Sequence, residues 1–191
     1  RLLLGIVSGY ETLNRVGLSM GAKPAQRGYH KSAVAGPLGA AVAAAVVMRL
    51  PAEQVFTALC LACACASGTK AFAAGAGGGM EKRMHAGRAA EAGVRMAQLA
   101  ARGFTAPAGA LDGRFGLLEV TAGDSARPEA IASNLGSRWA IEFVYVKIYP
   151  CCAWIQAAVQ QLVAMRGPHP LRLTDIAKVR VGVSAYAKAQ N

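Results

Sequence analysis

The first twenty residues carry hydrophobic and polar side chains with the period of an α-helix. Apolar residues recur at steps of three and four, and they are Leu2, Ile6, Tyr10, Leu13, Val16 and Met20. Polar residues lie between them, and they are Ser8, Glu11, Thr12, Arg15 and Ser19. This spacing predicts an amphipathic helix over residues 2–20, with the two sets of side chains on opposite sides.

Three further helices are predicted before residue 105. One begins near Pro37, a residue type that suits the first turn of a helix, and runs to residue 49. The next covers residues 51–66, and the last covers residues 83–102, where Gly103 ends it. The glycine-rich stretch at residues 75–79 is predicted to be a flexible loop that leads into this last helix.

The helix predicted over residues 83–102 has two distinct faces. Its polar stripe consists of Arg88, Glu91, Arg95, Gln98 and Arg102. A second stripe holds only small residues, namely Ala86, Ala90, Gly93, Ala97 and Ala101. Glu91 and Arg95 have the spacing of an i,i+4 ion pair, and the small residues allow another helix to approach closely.

The pattern changes after residue 104. Residues 104–128 are predicted to be connecting structure with one helical turn, and residues 140–149 alternate in the manner of an extended segment or strand. A helix follows over residues 150–165. Residues 178–184 alternate again and predict a strand, although a strand needs a partner and none is evident nearby. The chain is therefore predicted to be mainly α, with a mixed α+β region after about residue 140.

The composition favours a folded core of small residues. The chain has 191 residues, of which 54% are hydrophobic and only 6% aromatic. Its net charge of +11 permits nucleic acid, an anionic membrane surface or acidic metabolites as partners. The basic residues are dispersed and aromatic residues do not alternate with them, so nucleic-acid binding is not expected.

Neither a membrane span nor a secreted disulfide framework is expected. The apolar stretches at residues 33–48 and 55–69 are shorter than the roughly 20 residues that a spanning helix needs, so they predict buried helices of a soluble protein. Five cysteines, an odd number in two clusters, favour a reducing, cytoplasmic location. The chain shows no signal peptide and no initiator methionine, and we expect it to be an interior piece of a longer protein.

Three short clusters bring cationic side chains into this alanine-rich background. They are Gly28-Tyr29-His30, Lys82-Arg83-Met84-His85-Ala86-Gly87 and Lys147-Ile148-Tyr149-Pro150-Cys151-Cys152. Charged residues are only 16% of the chain, yet two of the three histidines lie in these clusters. Lysine, arginine and histidine with few matching acids suit a small substrate that carries several carboxylates.

At these clusters the chain resembles the MmgE/PrpD family. The matching pieces also include Gly9-Tyr10-Glu11, Gly36-Pro37-Leu38-Gly39-Ala40-Ala41 and Arg102-Gly103-Phe104-Thr105. The resemblance implies a large all-helical domain, incomplete at its N-terminus, over residues 1–145, and the truncated beginning of an α+β lid domain over residues 146–191. It also implies a homodimer and a chain that covers about half of a family member.

The resemblance further implies which residues form the active site. His30, Lys82 and Lys147 are predicted to be catalytic, and His85, Arg83 and Cys152 are predicted to bind substrate. Cys152 stands where some relatives carry a histidine, and Gln156 stands where many carry another. Glu81 occupies a position where threonine is common.

These residue types suit acid–base chemistry next to a carboxylate. Removing a proton beside a carboxylate creates extra negative charge, which Lys82 and Lys147 would stabilise while His30 exchanges the proton. We therefore expect a lyase that needs no metal or other cofactor and dehydrates a 2-methylcitrate-like polycarboxylate. Decarboxylation or epimerisation of a related acid proceeds through a similar carbanion and stays open, as does an inactive helical oligomerisation module with an anion-binding surface.

Local sequence alone favours simpler interpretations of the same residues. A lone histidine in a loop is usually exposed or hydrogen-bonded, and Lys82, Arg83 and Lys147 would ordinarily be solvated. The C-x-x-C pair of Cys60 and Cys63 lies inside an alanine-rich helix without a second pair, so buried thiols are expected rather than a zinc site.

Overall fold

The computed structural model describes residues 1–74, 79–167 and 172–188, and within them the chain is mainly helical, as predicted. The α-helices are α1 (Leu2–Ser19), α2 (Lys23–Gln26), α3 (Lys31–Val47), α4 (Ala52–Cys63), α5 (Glu81–Ala101), α6 (Leu117–Ala122), α7 (Glu129–Ala132), α8 (Gln156–Arg166) and α9 (Ala185–Lys188). Short 3₁₀ helices cover Ala71–Ala73, Gly123–Ser125, Ala140–Phe143, Ala153–Ile155 and Leu173–Asp175. The chain divides into two compact units, residues 1–143 and residues 144–191, and each is described by itself.

Helix α3 is the centre of the first unit and packs against α1, α4 and α5. It is apolar on every side, and Ala33, Val34, Leu38, Ala41 and Ala45 are all buried. A helix that is hydrophobic all round belongs in a core. Among the described residues, no helix is long and apolar enough to cross a membrane.

Helix α3 begins earlier than predicted. It starts at Lys31, and Pro37 lies inside it rather than in its first turn. Proline removes one backbone N–H from the helix and normally disfavours an interior position. Pro37 is almost completely buried between neighbouring helices, so tertiary packing outweighs the local preference.

Close backbone contacts fix α3 between α1 and α5. A Cβ atom on Gly39 would lie 2.6 Å from the carbonyl oxygen of Gly9 in α1. A Cβ atom on Gly93 in α5 would lie 2.4 Å from the Cβ atom of Ala40. The predicted small-residue contact of α5 is therefore confirmed at Gly93 and Ala97, whereas Ala86 and Ala90 are exposed.

Part of the polar side of α1 is buried together with part of its apolar side. Glu11 and Arg15 from the polar set are buried, as are Val16 and Met20 from the apolar set, whereas Leu2 from the apolar set is 68% exposed. Glu11 and Arg15 face residues 131–140, while Gly5 and Gly9 let another side of α1 press against α3. The predicted bounds of the helix are confirmed, but the division into one apolar and one polar side does not decide which residues are buried.

A buried ion pair holds the segment after α7 against α1. The Arg15 Nε donates to Glu11 at 2.5 Å, and both side chains are less than 10% exposed. The remaining Arg15 nitrogens donate to the carbonyl oxygens of Ile131, Ser133 and Arg138 at 2.9, 2.7 and 2.8 Å. Glu11 accepts a 2.7 Å hydrogen bond from the backbone N–H of Ala140. These bonds explain how two charges can be buried in a core of small apolar residues.

The other helices of the first unit largely agree with the sequence predictions. Helix α4 ends at Cys63, before the predicted residue 66, and the i,i+4 pair of Glu91 and Arg95 is present at 2.9 Å. Helix α6 supplies the predicted turn within residues 104–128, and its Leu117 and Leu118 are buried in the core.

No strand forms at residues 140–149 or 178–184, both of which the structure describes. Residues 140–143 form a 3₁₀ helix, whereas residues 144–147 and 178–184 have no regular secondary structure. The strand predicted over residues 178–184 is therefore wrong, and for residues 140–149 only the extended alternative stays open after residue 143. A strand is stable only when another strand satisfies its backbone groups. In the second unit α8 begins at Gln156, later than residue 150, after the 3₁₀ turn Ala153–Ile155. The identity of residues 146–191 as the start of a lid domain stays a prediction.

The cysteines of α4 are packed thiols rather than reactive ones. Cys60 is buried, Cys63 is half-buried, and its Sγ lies 3.5 Å from the carbonyl oxygen of Leu59. Burial, and to a smaller extent nearby Cys60, raises the pKa of Cys63 to about 12. This agrees with the expectation of packed thiols in an alanine-rich helix.

Candidate active site

Two loop segments, residues 28–30 and residues 68–70, pair with each other and place His30 at the start of α3. Tyr29 and Thr69 form an isolated antiparallel bridge. The N–H of His30 donates to Gly68 at 2.9 Å, and the N–H of Lys70 donates to Gly28 at 2.7 Å. The carbonyl of His30 accepts the first hydrogen bonds of α3. The backbone of His30 is therefore fixed on both sides, which sets the direction in which its side chain leaves the backbone.

Gly68 makes room for this arrangement. Its φ of +147° lies in a region that side-chain-bearing residues rarely adopt, and a Cβ atom there would lie 2.4 Å from the Cβ atom of Ala33. The same Cβ atom would lie 3.5 Å from Cε1 of His85. Only glycine fits between α3 and the imidazole of His85.

His30 and His85 are in direct contact through their rings. Their Nδ1 atoms lie 2.7 Å apart, and the ring centroids lie 4.9 Å apart with a tilt of 36°. Both residues are half-buried. A hydrogen bond between two ring nitrogens requires that one Nδ1 carries the proton and the other accepts it. The two imidazoles therefore form one hydrogen-bonded pair.

Phe72 contacts both imidazoles and Lys82. Its ring centroid lies 5.1 Å from that of His30 and 5.7 Å from that of His85, in edge-to-face geometries of 80° and 71°. The Nζ of Lys82 lies 4.9 Å from the centroid of the same ring. Three of the predicted site residues are thus gathered around one aromatic side chain.

Lys82 and Arg83 lie in the first turn of α5, and both are exposed. The N-terminus of a helix carries unpaired backbone N–H groups and a positive partial charge, which favour an anion. The cluster of His30, His85 and Lys82 therefore has a cationic character. Glu81 lies in the same turn and is also exposed.

Lys31 follows His30 directly in the chain, but its side chain lies in a different environment. Its Nζ donates to the carbonyl oxygen of Gly21 at 2.8 Å, near the end of α1. Burial lowers the pKa of Lys31 below its usual value. Its ammonium group supports the carbonyl end of α1 and is held outside the His30 cluster.

Lys147 and Cys152 lie in the second unit. Lys147 is exposed in a segment without regular structure, and Cys152 is half-buried directly before the 3₁₀ turn Ala153–Ile155. The side-chain amide of Gln156 donates to Tyr149 at 2.8 Å and accepts from the Tyr149 N–H at 3.1 Å. Gln156 therefore fixes the loop that carries the Lys147 motif.

The sequence did not mark Gly68 or Phe72 as residues that organise these sites. Gln156 stood out only as a departure from the family pattern, and its role in fixing the loop was not predicted. The position of Phe72 carries a weak signal, because aromatic residues are scarce in this chain and this one lies between Lys70 and the glycine-rich stretch. Most of that stretch, residues 75–78, and His169 lie outside the described residues. Across the described ranges, no group of three or more His, Cys, Asp or Glu side chains is arranged to hold a metal ion.

The class of protein is given by a family model that matches most of the first unit. The model of the MmgE/PrpD N-terminal domain matches residues 1–129. The chain therefore belongs to the MmgE/PrpD family, as its motifs indicated. The matched range contains His30, Lys82, Arg83 and His85.

Similar individual proteins come from the fungal genus Aspergillus. The chain is 29% identical to a cis-aconitate decarboxylase of Aspergillus terreus over 98% of its own length and 40% of that protein. It is also 29% identical to the cis-aconitate decarboxylase-like protein oryM of Aspergillus oryzae (strain ATCC 42149 / RIB 40), over 95% of its own length and 40% of that protein. The chain thus spans about 40% of the length of the curated relatives it matches.

Proposed function

We propose that the whole protein is a lyase that acts on a small polycarboxylate. The observation that carries this proposal is the 2.7 Å contact between the Nδ1 atoms of His30 and His85, at the ring of Phe72 that Lys82 also contacts. A hydrogen-bonded imidazole pair in the same cluster as a cation is suited to proton exchange at a carbon atom that bears negative charge.

The imidazole pair supplies the acid and base. In the neutral pair, one ring has its proton on Nδ1 and the other has its proton on Nε2. When the pair accepts one more proton, both rings carry an Nε2 proton and continue to share the Nδ1 proton. The pair thereby exchanges a proton with a substrate without losing its internal hydrogen bond.

The cationic groups bind the substrate and stabilise the charged intermediate. Lys82 and the first turn of α5 offer positive charge within the first unit, and Arg83 extends it at the surface. We propose that Lys147 approaches the same substrate from the second unit, with Cys152 beside it. Such groups stabilise a carbanion delocalised onto a carboxylate, because they lie where the negative charge develops.

Decarboxylation of a cis-aconitate-like acid is the reaction that we place first. Two similar proteins carry that activity in their names. The bond between carbon and a carboxylate breaks, carbon dioxide leaves, and the electron pair remains on carbon until the imidazole pair returns a proton. Dehydration of a 2-methylcitrate-like acid is the second candidate, in which a proton and a hydroxide leave from adjacent carbons. Both fit the same residues.

The assay of the whole protein compares cis-aconitate, 2-methylcitrate, citrate and iminodisuccinate. Release of carbon dioxide identifies decarboxylation, whereas loss of water or a change of configuration identifies the other two reactions. Lys82→Ala should raise KM strongly, and Lys23→Ala is a matched control because Lys23 is also an exposed lysine at the start of a helix. Absence of turnover with all four acids would reject the lyase and favour the inactive oligomerisation module.

Two further properties belong to this proposal. We expect a homodimer located in the cytoplasm, in agreement with the family and with the abundance of thiols. Sedimentation analysis of the whole protein measures the oligomeric state, and a strictly monomeric active enzyme would contradict this part.

A further inference from the structure

We propose that Phe72 is a positioning residue that holds Lys82 and the imidazole pair together while leaving the charge of Lys82 to the substrate. This inference rests on the proposed function for its catalytic meaning. Its geometric content, the fixing of Lys82 by an uncharged ring, can be tested without any turnover.

The ring of Phe72 contacts all three groups. Lys82 lies over the ring face, with its Nζ 4.9 Å from the centroid. This distance is within the roughly 6 Å at which a cation is attracted to the electron-rich face of an aromatic ring. His30 and His85 contact the same ring edge to face, which is a favourable geometry for aromatic pairs. Phe72 therefore relates the position of Lys82 to that of the imidazoles.

The backbone of Phe72 is fixed next to the segment that pairs with His30. It lies in the 3₁₀ helix Ala71–Ala73, which follows directly after the residues paired with the His30 segment. The N–H of Ala73 donates to the carbonyl of Lys70 at 2.8 Å, so the turn is fixed to this pairing. The ring is half-buried although residues on both sides of it are exposed. The backbone that positions His30 thus also positions Phe72.

An uncharged ring supports Lys82 differently from an acidic side chain. A lysine can also be fixed by a carboxylate, but a carboxylate neutralises the ammonium group and competes with an anionic substrate. An aromatic ring has no net charge, so it attracts the ammonium group while the full positive charge stays available. The chemistry of a polycarboxylate site favours this second solution.

The first experiment measures the accessibility of Lys82 by competitive reductive methylation of the whole protein, quantified by mass spectrometry. Phe72→Leu keeps an apolar side chain but removes the ring, and we expect Lys82 to be methylated about two- to fivefold faster, the scale of an exposed cation–π contact. Phe72→Tyr should restore the rate of the unchanged protein. Lys23 is the internal control, and equal Lys82 rates in all three proteins would overturn the proposal.

The second experiment uses the substrate found for the whole protein. Phe72→Leu should raise KM about fivefold or more and lower kcat less, because Lys82 and the imidazole pair lose their common support, and Phe72→Tyr should recover most of the loss. Unchanged KM and kcat in Phe72→Leu would overturn the proposal. If Phe72→Leu fails to fold by circular dichroism, Phe72→Met takes its place with the same expectations. If the unchanged protein turns over none of the acids, the proposed function fails while the methylation result still decides the role of Phe72.

Discussion

The Nδ1 atoms of His30 and His85 lie 2.7 Å apart although 55 residues separate them in the chain. One histidine comes directly before α3, and the other lies in the first turns of α5. Their contact depends on the close packing of α3 against α5, which small residues such as Gly36 and Ala89 permit. The contact between the two imidazoles is thus a direct product of helix packing.

Replacement of either histidine should remove most of the turnover. His30→Ala is expected to lower kcat about 100-fold or more, which is the usual scale for a group that exchanges a proton with the substrate. His85→Ala should lower it by a similar factor because the shared proton is lost. The double variant should be little worse than either single variant, since residues that act as a unit are not additive.

Steady-state kinetics of the whole protein measure these three values. Gln98→Ala is a suitable control, because Gln98 is an exposed residue of α5 well after the first turns that carry His85. Near-normal kcat in His30→Ala would reject its role, and strictly multiplicative losses would reject the pair as a unit.

Gly68→Ala should damage the site and the fold together. The new Cβ atom would lie 2.4 Å from Ala33 at a φ of +147°, and we expect a loss of about 1–3 kcal/mol in the free energy of unfolding. Because the same atom would approach the imidazole of His85, kcat should fall as well. Denaturant unfolding and kinetics measure the two effects.

Gly17→Ala provides the matched control for Gly68→Ala. Gly17 lies within α1 and a Cβ atom there meets no other atom within 4 Å. Alanine is the better helix former, so this variant should be more stable by up to about 1 kcal/mol. A Gly68→Ala protein as stable as Gly17→Ala would contradict the steric explanation.

Arg15→Leu should be among the most destabilising single changes. It leaves the buried carboxylate of Glu11 without its cation and leaves the carbonyls of Ile131, Ser133 and Arg138 without a donor. Breaking one partner of a buried pair costs about 3–5 kcal/mol. Urea unfolding measures the loss of stability.

The exposed pair of Arg95 and Glu91 is the comparison for the buried one. Arg95→Leu removes an ion pair whose side chains are 69% and 41% exposed, and surface pairs contribute less than about 1 kcal/mol. A double change of Glu11→Leu with Arg15→Leu should recover part of the stability lost in Arg15→Leu. Equal losses in Arg15→Leu and Arg95→Leu would show that burial is not the cause.

The buried thiol of Cys63 should make the free energy of unfolding fall at alkaline pH. Its pKa is raised from 9.0 to about 12 in the folded protein, so above pH 9 the unfolded chain loses a proton that the folded chain keeps. The unfolded state then binds fewer protons, and the free energy of unfolding falls as pH rises between about 9 and 12. At pH 10 this loss should be about 1 kcal/mol relative to pH 8.

Cys63→Ala isolates this contribution. The variant should lose less stability between pH 8 and pH 10 than the unchanged protein, although Cys60, whose pKa burial also raises, keeps its own share. Alkylation by iodoacetamide should be slow at Cys63 in the folded protein and fast in urea. Identical pH dependence of both proteins would show that the buried thiol makes no such contribution.

Periodicity predicted the long helices because their apolar and small residues repeat at helical spacing. The bounds of α1 and α5 and the pair of Glu91 and Arg95 could all be read along the chain. The start of α3 could not, since Pro37 is tolerated inside that helix only when it is packed on every side. The strand at residues 178–184 also failed, because a strand depends on a partner that local sequence does not supply.

The candidate site, like the fold, could be predicted from the sequence only in part. Family motifs in the sequence pointed to His30, Lys82 and His85, and the structure gathers these three residues around Phe72. Their catalytic and binding roles stay a prediction. The sequence did not reveal the 2.7 Å imidazole contact, the place of Phe72 between three site residues or the need for Gly68. Each of these arises from segments that lie far apart in the chain.

By itself, the sequence determined where helices form and which family supplies the chemistry, because spacing and residue type are local properties of the chain. Only the tertiary structure decided which face of α1 is buried, since Glu11 and Arg15 enter the core through partners at residues 131–140. It also decided that two distant imidazoles share a proton, because that distance is set by how closely α3 and α5 pack.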